Sequence, residues 1–270
     1  MLKILEETAL WLRPYISLET KIGIILGTGM SGFVNNIKNK VIIPYEKIPN
    51  FPIPTVEGHD GKLIIGQLGN KDVIAMQGRF HYYEGYSMQH VTYPVRVMQF
   101  LGFDYLFVSN AAGGMNSTFQ VGDVMLIEDH INLFPEHPLR GKNSCKLGVR
   151  FLDMSQTYDK KLRCLAKNIA NANSIKLQFG IYVGVQGPTF ETPAEYHYFR
   201  IIGGDAVGMS TVPEVIVARH GGLKVLAFSI ITDLGIFGKI VEIDHVEVQK
   251  AANIACPRMA FLIEEVVKQI

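Results

Sequence analysis

The sequence predicts a single α/β domain, residues 1–270, built around a partly parallel sheet. Short apolar runs typical of buried strands, at 21–26, 104–109 and 223–231, alternate with longer segments of helical periodicity. This alternation is typical of βα units. Polar residues and glycines follow the ends of these runs, and no repeat, low-complexity tract or linker divides the chain. The chain is therefore expected to form one domain with polar groups collected at strand ends.

Composition narrows the functional classes. The 26 basic and 25 acidic residues give a net charge of +1, which argues against a surface that coats nucleic acid. No uncharged apolar run is long enough to span a bilayer, so no membrane contact is expected. Leu2, Leu5, Ala9 and Leu12 are spaced as one face of an N-terminal amphipathic helix. Glu6 and Glu7 interrupt any signal-peptide core, which favours a cytoplasmic protein.

The three cysteines lie far apart, and the eight histidines lack the spacing of metal ligands. Neither a disulfide framework nor a metal site is expected.

Each predicted element has a local signal. Two strands at 62–68 and 71–77 flank a Gly69-Asn70 turn, which is typical of a hairpin. A helix at 88–101 is interrupted or starts at Pro94, and further helices start at Pro193 and Pro213. Thr192 and Glu195 form a capping box at the second of these prolines, and Ser210 and Thr211 are natural caps before the third. The remaining elements predicted from periodicity are strands at 121–127 and 177–185, a helix at 157–172, and a C-terminal helix that Asp244 caps and Pro257 should kink or break.

The glycine loop at 27–32, Gly-Thr-Gly-Met-Ser-Gly, directly follows the first predicted strand. Such loops expose backbone N–H groups that can bind phosphate. A dinucleotide-binding oxidoreductase would also need an acid at the end of the next strand, for which Glu46 is the candidate. The segment between them is short for a crossover helix, so this remains a minority interpretation.

The loop at 77–86, Gln-Gly-Arg-Phe-His-Tyr-Tyr-Glu-Gly-Tyr, concentrates most of the candidate chemistry. Arg79 and His81 lie two residues apart and point to the same side of an extended segment. An arginine fork and an imidazole on one side form a plausible phosphate clamp. An exposed loop with a solvated arginine is an equally good interpretation of these ten residues taken alone.

Six motifs in one order resemble the trimeric family of purine nucleoside phosphorylases, from about residue 20 to the end of the chain. They are the glycine loop with Thr28, Gly58-His59, the segment 78–85, Asn110-Ala-Ala-Gly-Gly114, Gly187-Pro-Thr-Phe-Glu191, and Gly208-Met-Ser-Thr-Val-Pro-Glu214.

The resemblance implies phosphorolysis: a purine nucleoside and inorganic phosphate give the free base and (deoxy)ribose 1-phosphate. Phosphate is then a co-substrate, and no metal or organic cofactor takes part. It also implies a mixed, partly barrel-like central sheet flanked by helices, and a homotrimer with sites near the subunit interfaces.

The resemblance also implies roles for individual residues. His81, Glu191 and Asp233 would be catalytic. The phosphate would be bound by Thr28, His59, Arg79, His81, the backbone N–H of Ala111, and Ser210. The nucleoside would be bound by Tyr83, Phe190, Glu191, Met209, Asp233, His245 and, from a neighbouring subunit, Phe151.

Two alternatives stay open beside the oxidoreductase. Phosphorolysis of 5′-methylthioadenosine is disfavoured by His245, because a methylthio group prefers an apolar lid. A catalytically silent nucleoside-binding module is disfavoured by the intact polar groups. Asp233 departs from the resemblance, because members specific for 6-oxopurines typically carry Asn there. The sequence therefore leaves open whether inosine and guanosine, or also adenosine, are substrates.

Overall fold

The computed structural model describes residues 2–56 and 58–270. The α-helices are α1 (Leu2–Leu12), α2 (Met88–Val91), α3 (Tyr93–Leu101), α4 (Lys160–Ala172), α5 (Pro193–Ile201), α6 (Val212–His220) and α7 (His245–Lys268). The strands are β1 (Ile22–Leu26), β2 (Lys38–Pro44), β3 (Lys62–Leu68), β4 (Lys71–Gln77), β5 (Tyr105–Gly114), β6 (Val124–Asn132), β7 (Leu177–Gly184), β8 (Ala206–Gly208) and β9 (Lys224–Leu234).

The strands form one mixed sheet that closes on itself at one end. Its order is β2-β3-β4-β1-β5-β8-β7-β6-β9, and β9 also pairs with β5. The five strands from β5 to β9 therefore form a closed ring, while β1 to β4 extend from it as an open sheet. The partly barrel-like mixed sheet is confirmed.

Helices cover both faces of the sheet. Neighbouring residues of β1 show the alternation: Ile25 packs into the core beneath α1, α3 and α6, whereas Ile24 packs into the core beneath α4 and α7. Both side chains are buried. Strands buried on both faces need continuous apolar runs, which is why β1 reads Ile-Gly-Ile-Ile-Leu.

Most predicted elements are present, with two informative differences. The strand predicted to end at Ser109 continues to Gly114, because residues 110–114 pair with β9 and partly with β8. Of the kink or break predicted at Pro257, the break is wrong, since α7 runs on through it. Buried Cys256 and Met259 anchor the helix on either side of the proline, and this packing offsets the missing hydrogen bond.

The sheet order also removes the basis for the dinucleotide-binding alternative. β1 lies between β4 and β5, and two strands, β3 and β4, separate it from β2. Residues 31–36, after the glycine loop, form a 3₁₀ turn rather than a crossover helix. Glu46 therefore does not end a strand adjacent to the glycine loop, as a βαβ dinucleotide site requires.

Candidate active site

A single cleft collects residues from the same end of several parallel strands. β1 is parallel to β4 and β5, and β5 is parallel to β9, so their carboxyl ends meet at one edge. Eleven of the residues predicted from the sequence line this cleft: Thr28, Arg79, His81, Tyr83, Ala111, Phe190, Glu191, Met209, Ser210, Asp233 and His245.

Arg79 is held rigidly at one end of the cleft. Its Nε and Nη2 atoms donate to Glu214 Oε1 and Oε2 at 3.1 and 2.9 Å. Its Nη1 donates to the Ser109 carbonyl at 2.7 Å and to Ser210 Oγ at 3.2 Å. A guanidinium carries five N–H donors, so one remains without a partner among the described residues. The arginine is fixed before any ligand arrives.

Ser210 lies where β8 passes into α6, and the local backbone is unusual. Thr211 has φ 68°, a left-handed conformation that is rare for a β-branched residue. The Asn110 amide donates to its hydroxyl at 2.8 Å. Thr211 is the N-cap residue of α6, as predicted, but its side chain makes no capping hydrogen bond and accepts from Asn110 on β5 instead. Backbone strain of this kind concentrates at functional sites.

His81 is oriented by Glu84. Its Nδ1 lies 2.9 Å from Glu84 Oε1, which also accepts the His81 backbone N–H at 2.7 Å. Burial opposes ionisation of Glu84, but hydrogen bonds from His81 and Thr55 outweigh it and lower the pKa of Glu84 to about 2. Burial lowers the pKa of His81 itself, against the attraction of Glu84. The ring stacks on Tyr83 with centroids 4.7 Å apart. Because Nδ1 bonds Glu84, Nε2 is the ring nitrogen that could contact a ligand.

The other end of the cleft is acidic. Glu191 lies just before α5, whose start is fixed by a capping box between Thr192 and Glu195, as predicted. Burial, and then the charge of Asp233, raise the pKa of Glu191 to about 7. Burial also raises the pKa of Asp233, whose Oδ2 accepts a 2.8 Å hydrogen bond from Tyr196. Two partly desolvated carboxyl groups thus line the same cleft as Arg79 and His81.

Comparison with known proteins places this arrangement in a family. The family model described as "Phosphorylase superfamily" matches residues 21–268. The chain belongs to this superfamily.

Several members of the superfamily are similar to this chain over most of their length. Purine nucleoside phosphorylase 1 of Geobacillus stearothermophilus is 53% identical over 230 residues, 85% of this chain and 84% of the relative. The rat purine nucleoside phosphorylase is 45% identical over 272 residues, 98% and 94% of the two chains. The crystal structure of the Schistosoma mansoni purine nucleoside phosphorylase in complex with adenosine superposes with a TM-score of 0.94, at 39% identity over 99% and 97% of the chains.

His59 does not line the cleft but contacts two residues that do, His81 and Arg79. Its ring is buried and lies 5.1 Å from that of His81. Its Nδ1 accepts the Arg79 backbone N–H at 3.3 Å, so the proton of the neutral ring is on Nε2. This buried Nε2 has no hydrogen-bond partner among the described residues. Burial, and then His81, lower the pKa of His59 to about 3. An unpaired buried donor beside Arg79 is suited to an anionic ligand.

Phe151 is the one predicted site residue that lies away from the cleft. It is 91% exposed and lines a separate pocket with Arg140, Arg150 and Thr157. Its own chain therefore does not bring it to the site, and its predicted role in a neighbouring subunit stays a prediction.

Sequence reasoning missed the partners that hold the site residues. Glu214, Glu84 and Tyr196 were assigned no role, although each bonds a predicted site residue. For Tyr196 a signal existed, because Tyr196 and Phe199 form the apolar face of a short helix. For Glu214 no local pattern indicates that it meets Arg79, 135 residues away.

Among residues 2–56 and 58–270, no cluster of three or more His, Cys, Asp or Glu side chains could hold a metal ion. No helix in that part of the chain is sufficiently long and apolar to traverse a bilayer.

Proposed function

We propose that this chain catalyses the reversible phosphorolysis of purine nucleosides, as a pentosyltransferase. The observation that carries the proposal is the polarity of the cleft. The lining contains a group of donors, with Arg79 bonded to Ser210 and His81 close to Arg79 in the sequence, and an acidic group in which Asp233 raises the pKa of Glu191. Many similar proteins named purine nucleoside phosphorylase support it.

The reaction breaks the C1′–N9 bond and forms a bond from a phosphate oxygen to C1′. The electron pair of the broken bond moves onto the purine, which takes up a proton. Positive charge builds on the ribose in the transition state, and the phosphate dianion both stabilises and captures it. The protein supplies position and electrostatics, and no covalent enzyme intermediate is needed.

The donor end of the cleft would bind the phosphate. Arg79 offers its remaining N–H, and His59 offers its unpaired Nε2–H. Hydroxyls of Thr28 and Ser210, the imidazole of His81 and the backbone N–H of Ala111 complete the set that we assign. Because His59 and His81 are buried beside Arg79, a bound dianion would favour their protonated forms and gain charge-assisted bonds.

The acidic end would bind the purine. Phe190 would pack on the ring, Glu191 would bond its N–H edge, and Asp233 would face N7 and the 6-substituent. Tyr83, Met209 and His245 would contact the ribose. A carboxyl whose pKa lies near 7, as for Glu191, can exchange a proton with the base at physiological pH.

We also propose that adenosine is accepted beside inosine and guanosine. An ionised Asp233 accepts from a 6-amino group but repels a 6-oxo group. The related Schistosoma mansoni enzyme has been crystallised with adenosine, which supports a cleft of this shape accommodating it.

We assign the active form to a homotrimer in which Phe151 of a neighbour closes the ribose side of each site. Its exposure in the segment between β6 and α4 is consistent with this assignment.

One assay tests the proposal. Inosine, guanosine, adenosine and 5′-methylthioadenosine are each incubated with the protein, with and without phosphate, and base release is followed. We expect phosphate-dependent release from the first three. Release that does not need phosphate would indicate a hydrolase, and release only from methylthioadenosine would indicate the sister activity. No release from any of the four would contradict the proposal.

A further inference from the structure

Tyr196 is a buried side chain of α5 that contacts the base end of the cleft from outside. Only 4% of it is exposed. Its hydroxyl lies 2.8 Å from Asp233 Oδ2, while the hydroxyl of Thr232 lies 2.9 Å from Asp233 Oδ1. Both oxygens of the Asp233 carboxylate therefore receive a hydroxyl donor from the protein.

Two glycines make room for this pair. A Cβ atom at Gly113 would lie 2.8 Å from Asp233 Oδ2 and 3.0 Å from the Tyr196 hydroxyl oxygen. A Cβ atom at Gly235 would collide with the Tyr196 ring. The backbone at Gly113 and Gly235 thus lies so close to Tyr196 that only glycine fits at these two positions. Its ring has little freedom to leave Asp233.

The direction of the Tyr196 hydrogen bond follows from its surroundings. Burial and the neighbouring carboxylates of Asp233 and Glu191 raise the pKa of Tyr196 far above its usual value. The phenol therefore keeps its proton and donates it. Glu191 is a second acceptor for the same hydroxyl, and the bond to Asp233 is the one with a distance of 2.8 Å. Hydrogen bonds from Tyr196 and Thr232 favour the ionised form of Asp233 and oppose the effect of burial.

We propose that Tyr196 is a positioning residue that holds Asp233 as a hydrogen-bond acceptor toward the base, and thereby favours 6-aminopurines. A 6-amino group donates, whereas a 6-oxo group only accepts, so an acceptor locked at this position discriminates between them. The inference rests on the proposed function for its substrates. It concerns a residue that does not itself line the cleft.

The test is Tyr196→Phe, which keeps the buried ring and removes only the hydroxyl. Affinities for adenine and hypoxanthine are measured by calorimetry, and kcat/KM is measured for adenosine and inosine. We expect the adenine-to-hypoxanthine preference to fall about tenfold, in line with loss of one hydrogen bond to a charged group. The KM for phosphate should stay unchanged, because Arg79 and His81 are untouched. Tyr198→Phe is the matched control, since Tyr198 lies on the same helix and is 52% exposed.

The Asp233→Ala variant shows whether Tyr196 acts through Asp233 or through other contacts of its side chain. In Asp233→Ala the acceptor is gone, so adding Tyr196→Phe should leave the base preference where Asp233→Ala placed it. A further shift in that background, or a preference within twofold of wild type in Tyr196→Phe alone, would overturn the inference. The calorimetric arm needs no turnover, so it decides the role of Tyr196 even where phosphate-dependent base release, and with it the proposed function, fails.

Discussion

The guanidinium of Arg79 and the carboxylate of Glu214 form a two-pronged ion pair in which both side chains are buried. The pair joins the loop after β4 to the first turn of α6. Arg79 is therefore already paired with a carboxylate before any anion binds. Its charge is already balanced, and its orientation is set by the protein. Such preorganisation spares a ligand the reorganisation of the groups that bind it.

Removing Glu214 should destabilise the fold strongly. In Glu214→Ala the buried Arg79 loses its carboxylate partner, and we expect a loss of about 3–5 kcal/mol in the free energy of unfolding. Urea unfolding of wild type and variant measures it. The control is Glu265→Ala, whose partner Lys268 is exposed, with an expected change of about 1 kcal/mol or less. Equal effects of the two substitutions would show that the buried pair does not hold the site together.

Arg79→Ala and His81→Ala should each impair the use of phosphate far more than the binding of nucleoside. Loss of one hydrogen bond to a charged group is worth about 1.5–3 kcal/mol, which corresponds to a rise in the phosphate KM of about tenfold to a hundredfold. Steady-state kinetics with each substrate varied in turn measures both constants. His197→Ala, at an exposed position on α5, is the control. An unchanged phosphate KM in both variants contradicts the phosphate assignment.

Stability should fall as the pH drops below about 6.5. Burial lowers the pKa of His130 to about 4, so this ring stays neutral in the folded protein. The unfolded chain, with an ordinary histidine pKa of about 6.5, takes up the proton first. Between these two values the unfolded state binds more protons, and stability therefore rises with pH.

The measurement is the Tm at pH 8, 6.5 and 5 for wild type, His130→Gln and the exposed control His197→Gln. The loss of Tm between pH 8 and pH 5 should be smaller in His130→Gln than in the other two proteins. Identical losses in all three would place the pH sensitivity elsewhere.

Phe151 offers a test of the proposed trimer that uses two defective variants. Phe151→Ala keeps its own phosphate clamp, and Arg79→Ala keeps its own Phe151. If each site combines Arg79 from one subunit with Phe151 from the next, co-expressed mixed trimers contain some complete sites. Activity above that of either variant alone is expected, together with a trimer by sedimentation. An active monomer at assay concentration, or activity no higher than the average of the two variants, contradicts the shared site.

The sequence predicted what is local and missed what is distant. The hairpin of β3 and β4 followed from alternation and a Gly-Asn turn, and the start of α5 followed from a capping box. Polar groups were expected at strand ends, but the set of residues that line the cleft was predicted from the resemblance to a known family. The ring closure of β5 with β9 joins residues more than a hundred positions apart, and periodicity carries no information about such pairing.

The same limit explains the missed supporting residues. The motif of Arg79 and His81 is visible within three positions, but Glu214 reaches Arg79 only through the packing of α6 against the barrel. The break predicted at Pro257 failed for a related reason. Tertiary packing of α7 outweighed a local preference that the sequence states clearly.

Asp233 is the residue that we expect to read the 6-position of the purine. In Asp233→Asn the amide oxygen can accept the Tyr196 hydroxyl, as Oδ2 does in the wild type, and the NH₂ group can then donate to the base. A donor there suits a 6-oxo group and loses the bond to a 6-amino group. We expect the ratio of kcat/KM for adenosine to that for inosine to fall about tenfold. Both nucleosides are measured across pH, with Asp104→Asn, an exposed aspartate before β5, as the control. Because burial raises the pKa of Asp233, the wild-type ratio should also fall as the pH is lowered and this carboxylate takes up a proton, whereas the ratio of the variant should not follow that group. A ratio that is the same in wild type and variant at every pH would show that Asp233 does not face the 6-substituent.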